Sequence, residues 1–251
     1  MSVTSDDLIA YGSATMPDDD SVEDIGGAID TSVRVSFTDV APADTIDVAS
    51  DDSGDTMDVT IHGRDSQGVM VSETLTLNGT TTVNGAQTFE RILKVVVSAS
   101  HAGTITLTEA TGGDTLMAIE SGVLEVRRPF YAAVAEDSGG AERTYYDKVF
   151  VKNADASKAL TSATIAESAD PSGKVAFALE GSLDGSDTNG AGNNRQVAPS
   201  GYTFDNDTEN VANNGDLLSG SAQGVWLELT LPAGEAPNNT SFTLTTSGNT
   251  T

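Results

Sequence analysis

The chain of 251 residues has no Cys, two His, one Trp and only 12 basic residues. Each scarcity excludes something. Without Cys there is no disulfide framework, no thiolate metal site and no cysteine nucleophile. His62 and His101 stand outside any HExxH or HxH spacing, so each reads as a surface histidine and not as a zinc ligand. Ser is abundant, yet there is no GxSxG elbow to present one as a nucleophile. A Ser-His-Asp triad needs no adjacency in sequence, and nothing singles one out. Aromatics are 5% of the chain, too few to line the sugar cleft that a glycosidase's carboxylate pair requires. The sequence predicts no catalytic residue, no metal and no cofactor. It holds no apolar run near the ~20 residues of a membrane span. Its first residues, Met1 to Asp7, lack the basic and apolar regions of a signal peptide. Synthesis in a cytoplasm, without membrane contact, is the expectation.

What is abundant is acid. With 38 Asp and Glu the net charge is −26. So few cations cannot displace phosphate counterions, so nucleic acid is excluded as a partner. The charge is uneven. Residues 1–30 carry Asp6, Asp7, Asp18, Asp19, Asp20, Glu23, Asp24 and Asp30 without one Lys or Arg. Eight of the 12 basic residues lie between Arg91 and Lys158. Self-repulsion on this scale suits a saline setting, where the Debye length falls from about 10 Å at 0.1 M to about 3 Å at 1 M salt. Plain solubility is the competing explanation.

The pattern is that of strands. Runs such as Met57 to His62 and Val225 to Leu231 alternate apolar with polar, the mark of a half-buried strand. Gly- and Asn-rich turns separate them every 8 to 12 residues or so, the spacing of a sandwich. Hydrophobic residues are 37%, so the cores should be thin and aliphatic. Residues 1–30 read as an extended acidic arm, because Asp18 to Asp20 and Gly26-Gly27 interrupt helix and strand alike. Leu8, Ile9, Tyr11 and Ile29 could anchor it on a neighbour. Residues 31–125 read as one β domain, with Asn78-Gly79 as a hairpin turn between Val69–Leu77 and Thr81–Val83. Residues 126–145 form a junction with a flexible loop at Glu136 to Ala141. Residues 146–251 read as a second β domain with long polar loops at 184–199 and 205–215.

Two segments cluster oxygen ligands around Gly in the manner of calcium loops, Asp51 to Asp55 and Asp184 to Asn189. Neither has the closing Glu of an EF-hand. Acidic residues are also good turn formers, and that is the preferred reading.

Three stretches carry a resemblance. The first is Val59 to Gly79 with Thr88 to Ile92. The second is Val123-Leu-Glu-Val-Arg-Arg-Pro-Phe-Tyr131 with Asp147 to Asn153. The third is Asn194 to Gly201 with Gly224-Val-Trp-Leu-Glu-Leu-Thr-Leu-Pro-Ala-Gly234. Together they resemble structural proteins of tailed bacterial and archaeal viruses. The resemblance implies a virion component built of two immunoglobulin-like antiparallel β-sandwich domains, here with an N-terminal arm, and without enzymatic activity. The leading expectation is a capsid decoration or cement protein on the outer lattice of the major capsid protein, a homo-oligomer with a trimer favoured. Alternatives are a tail or neck component, or a fibre-borne carbohydrate-binding module. The expected contact residues are Leu8, Ile9 and Tyr11 of the arm and Arg127, Arg128, Phe130, Tyr131 and Arg143 of the junction, since Arg and aromatics are the types enriched at interfaces. The competing reading is that these cations neutralise nearby Asp and Glu within the fold.

Overall fold

The computed structural model describes residues 2–36, 39–131, 133, 140–234 and 241–250. The protein is all-β, with 50% of residues in strands and 3% in helix. It divides into two compact units, residues 31–131 and residues 1–30 with 132–251.

The chain opens with β1 (Leu8–Thr15) and β2 (Gly26–Arg34), which runs into the first unit. That unit adds β3 (Asp44–Ser50), β4 (Asp58–Arg64), β5 (Met70–Thr76), β6 (Thr88–Phe89), β7 (Arg91–Val97), β8 (Ile105–Glu109), β9 (Thr115–Ile119) and β10 (Glu125–Arg127). One layer is ordered β10-β7-β4-β5, with the end of β2 parallel to β10; the other is β6-β3-β8-β9. Alternation does the sorting. In β4, Val59 and Ile61 point inward while Thr60 and His62 face outward, and β3 buries Ile46 and Val48 in the same rhythm. The inward residues form one aliphatic core of Val, Ile and Leu with Phe89 and Met117. This is the thin aliphatic interior that the composition predicts.

The second unit comprises β1, β11 (Arg143–Asn153), β12 (Leu160–Ala169), β13 (Val175–Leu183), β14 (Glu209–Asn210), β15 (Ala222–Leu231) and β16 (Thr243–Thr250). One layer is ordered β13-β15-β11-β1, continuing to the start of β2; the other is β14-β12-β16. β11 lies between β15 and β1 and is buried continuously from Tyr145 to Phe150.

Three expectations change. Residues 1–30 are extended, but they are not a free arm: β1 pairs antiparallel with β11 from Leu8 opposite Asn153 to Gly12 opposite Val149. Gly26 and Gly27, read as breakers, open a strand. Both have positive φ, and a Cβ on Gly26 would lie 2.7 Å from the Trp226 ring, so glycine is what lets that indole close over β2. Asn78-Gly79 does make a turn, with Gly79 at φ +57°. The hairpin beyond it is absent, because Val83 bridges Val48 of β3 and not β5. The loop at Glu136 to Ala141 falls largely outside the described residues.

Candidate functional site

The residues expected at a partner interface are built into the fold. Leu8, Ile9 and Tyr11 are half-buried members of β1, and the Tyr11 ring has Lys152 Nζ 6.0 Å from its centre. Arg127 and Arg128 are each 4% exposed. Arg127 donates to Glu125 at 3.1 Å. Arg128 donates to the Ile92 carbonyl at 2.6 Å and pairs with Asp39. Burial, then the neighbouring Arg91, pushes the Arg128 pKa down to about 9, and its guanidinium stays charged at neutral pH. The Tyr131 ring is buried with Lys94 and Arg127 at 5.2 and 5.7 Å from its centre. Phe130 is half-buried in a left-handed backbone conformation at φ +57°. Arg143 begins β11 and lies 3.5 Å from Asp20. These cations serve local carboxylates; Arg127 and Arg128 are enclosed, whereas the Arg143 side chain is 36% exposed.

The segment between β1 and β2 is tied down in the same way. Asp20 accepts from Arg195 Nε and from Gln196 Nε2, each at 2.7 Å. Asn194 Nδ2 donates to the Asp20 carbonyl, and Gly192 N–H to Asp24. The Arg195 guanidinium sits 4.9 Å from the centre of the Tyr145 ring.

Beneath these loops is a polar interior. Lys148, fully buried on β11, donates to the Gly27 carbonyl at 2.9 Å, Glu180 Oε1 at 3.0 Å and the Asp187 carbonyl at 3.1 Å. Three acceptors match the three donors of an ammonium. Burial draws the Lys148 pKa down, and the carboxylate of Glu180 opposes that shift. The space comes from glycine: a Cβ on Gly185 or Gly224 would lie 2.3 Å from the Glu180 carboxyl group. Three buried carboxamides work as clamps, each donating twice and accepting once. Asn153 holds Lys158, Leu217 and Asp155; Asn189 holds Asn194, Val197 and Ile25; Gln223 holds Glu180, Gly224 and Ala212.

At the surface above this network lies an open cleft of about 520 Å³, lined by Asp187, Ser200, Tyr202, Thr203, Asp205 and Glu209 among others. Tyr202 packs on Trp226 at 5.8 Å between ring centres and donates its hydroxyl to Asp187 at 2.6 Å. Burial, then that bond, raises the Tyr202 pKa. Glu209 accepts from Leu179 N–H at 3.3 Å, and its pKa is raised by burial, with repulsion from Asp205 adding to it. The cleft presents hydroxyls and carboxylates beside one ring, a surface suited to a hydroxyl-rich ligand.

The two calcium-like segments are turns whose oxygens are in use. Asp55 accepts from Ser50 Oγ, Ala102 N–H and Gly103 N–H, while Asp51 takes Thr104 N–H and Asp52 takes Gly54 N–H. These bonds, Ser50 first, hold the Asp55 pKa below the ordinary carboxylate value. In the other segment Asp184 takes Ala222 N–H. Among the described residues, no group of three or more His, Asp and Glu is arranged to hold a metal, and no helix is long and apolar enough to cross a membrane. His62 lies on the outer face of β4. His101 is buried, contrary to expectation, its ring nitrogens 2.7 and 2.8 Å from the carbonyls of Gly103 and Val123.

Sequence reasoning placed Lys148 among the cations facing a partner and did not single out Glu180 and Gln223, because within alternating strands all three look like solvent-facing positions. It also missed Glu209, which reaches the cleft from a two-residue strand. Gly26, Gly27, Gly185 and Gly224, which make room for this interior, are scattered in sequence and meet only in the fold. No family model, no curated protein and no solved structure matches the chain.

Proposed function

We propose that this protein is a non-enzymatic structural component of a tailed-virus particle, a decoration protein on the head. In this reading its two sandwiches are immunoglobulin-like, its partner is the major capsid protein, and it coats the outer lattice as a homo-oligomer. The observation that carries the reading is how the carboxylates are used. Asp65 accepts from Gln67 and Val69, Asp155 from Ser157 and Lys158, and Asp170 from Ser172, Lys174 and Val175. Acid side chains here brace turns and leave an anionic exterior that stays soluble in salt and repels released DNA. That is the surface a coat protein needs. With Arg127 and Arg128 enclosed and β1 paired to β11, docking falls to exposed loops such as the β4–β5 hairpin, where Val69 and Met70 are 54% and 42% exposed.

The test is immunogold labelling of particles from the virus that encodes the chain. Label over heads supports the proposal. Label confined to tails or necks favours the tail component instead, and unlabelled particles reject a virion role. One feature favours a second reading, a fibre-borne glycan-binding module: the hydroxyl- and carboxylate-lined cleft beside Tyr202. Glycan binding that disappears in Tyr202→Ala would establish it.

A further inference from the structure

Sheet edges show an interaction surface. An open edge is a row of unpaired N–H and C=O groups, and proteins blunt such edges with charge, proline, bulges, short strands or a covering loop. Most edges here are blunted. On β13, Phe177 exchanges backbone bonds with Asp205 at 3.0 and 3.2 Å, and Leu179 N–H donates to Glu209. β5 carries Glu73, whose carboxylate binds the N–H groups of Ala86 and Gln87. β6 and β14 have two residues each, and β9 has five, bounded by Asp114 and Glu120.

β16 differs. It spans eight residues, Thr-Leu-Thr-Thr-Ser-Gly-Asn-Thr, and pairs on one side with β12. Among the described residues nothing pairs with its other side. The two register shifts in this pairing place the extra residues on β12, so β16 itself runs without a bulge. It holds no proline and no charge, and the chain is uncharged from Ala236 to Thr251.

We propose that β16 is a docking edge for the β16 of a second copy of this chain, joined antiparallel about a twofold axis. Charge selects the occupant. A basic partner would be drawn to the carboxylate-rich surface; a body that is itself at −26 can approach closely only where charge is missing. A second copy also brings the identical unprotected edge, so one contact satisfies both rows of backbone groups. Strand addition of this kind takes its affinity from main-chain hydrogen bonds. Antiparallel pairing of the same strand is isologous and closes at two copies, in place of the trimer expected from the resemblance. The inference does not depend on the virion reading.

The full chain lacks Cys, so single cysteines report cleanly. Light scattering over about 1 to 100 µM protein should give twice 25.8 kDa, with the dimer strengthened in 1 M NaCl as screening relieves repulsion. Thr245→Glu with Ser247→Glu, at exposed positions, should leave the circular dichroism spectrum unchanged and weaken the dimer at least tenfold. Single cysteines from Thr243 to Thr250 joined by a short bis-maleimide should cross-link best near one centre, which gives the register. A monomer at every concentration and salt overturns the proposal, as does a trimer. So does a dimer indifferent to the Glu pair whose β16 cysteines fail to cross-link.

Discussion

The two units solve the same problem in opposite ways. Residues 31–131 close around a continuous aliphatic core. The other unit places Lys148, Glu180, Asp147, Asn153, Asn189 and Gln223 in its interior, nearly or fully buried, beside the cluster of Ile25, Tyr146 and Trp226. An aliphatic core tolerates substitution so long as volume and pattern are kept. A buried polar network is unforgiving, because removing one member leaves another unsatisfied in a low dielectric. The difference separates a body whose interior is chiefly aliphatic from one that buries a polar network beside its apolar residues.

The largest effect should follow from breaking the ion pair. Lys148→Met strands the Glu180 carboxylate and should cost about 4 kcal/mol in chemical denaturation, the usual penalty for removing one partner of a buried pair. Adding Glu180→Leu should recover most of that loss, since buried pairs replaced whole are often neutral. A double variant no better than the single would mean that shape, and not charge, is what the network supplies. In the aliphatic unit Ile61→Ala should cost about 3 kcal/mol and Ile61→Val about 1 kcal/mol. The graded response there, against the all-or-none response at Lys148, sharpens the contrast.

The same contrast explains what could be read from sequence. The strands of residues 31–131 were legible because every second side chain is apolar and truly faces inward, as in Val59 and Ile61. The strands of the other unit were legible in the same way, but its polar interior was not, because β11 is buried on both faces from Tyr145 to Phe150 and includes Asp147 and Lys148. Alternation assigns those two to solvent. The pairing of residues 8–12 with 149–153 joins segments far apart in sequence, and no local pattern encodes it. Loop carboxylates were legible as turn formers, whereas the cleft was not, since it assembles Asp187, Tyr202 and Glu209 from three separate segments.

Smaller effects distinguish the units by pH and by turn. Asp55→Ala should cost about 2 kcal/mol by leaving the Ala102 and Gly103 N–H groups and the Ser50 hydroxyl without their acceptor. The folded-state pKa of Asp55 is depressed, so its contribution is present above pH ~4 and lost as pH falls through the folded value. In the other unit the sign is reversed at the alkaline end. Burial, with a 2.8 Å bond to Glu228, raises the Tyr146 pKa to about 12 from its ordinary 10.0. The folded phenol keeps its proton where the unfolded one releases it, so that stability is present below pH ~10 and lost as pH rises toward the folded value. Tyr202 shifts in the same direction. Base titration followed by phenolate absorbance and circular dichroism should show Tyr146→Phe unfolding at higher pH than the parent chain; coincident curves would remove the tyrosine from the explanation.

The most direct test of the division is thermal unfolding of residues 31–131 expressed alone. That segment holds its aliphatic core and its β3–β10 pairings within one stretch of chain, so it should give a β spectrum and a single cooperative transition. A disordered fragment would contradict the account, because it would show that the aliphatic core does not suffice and that the two units are one folding body.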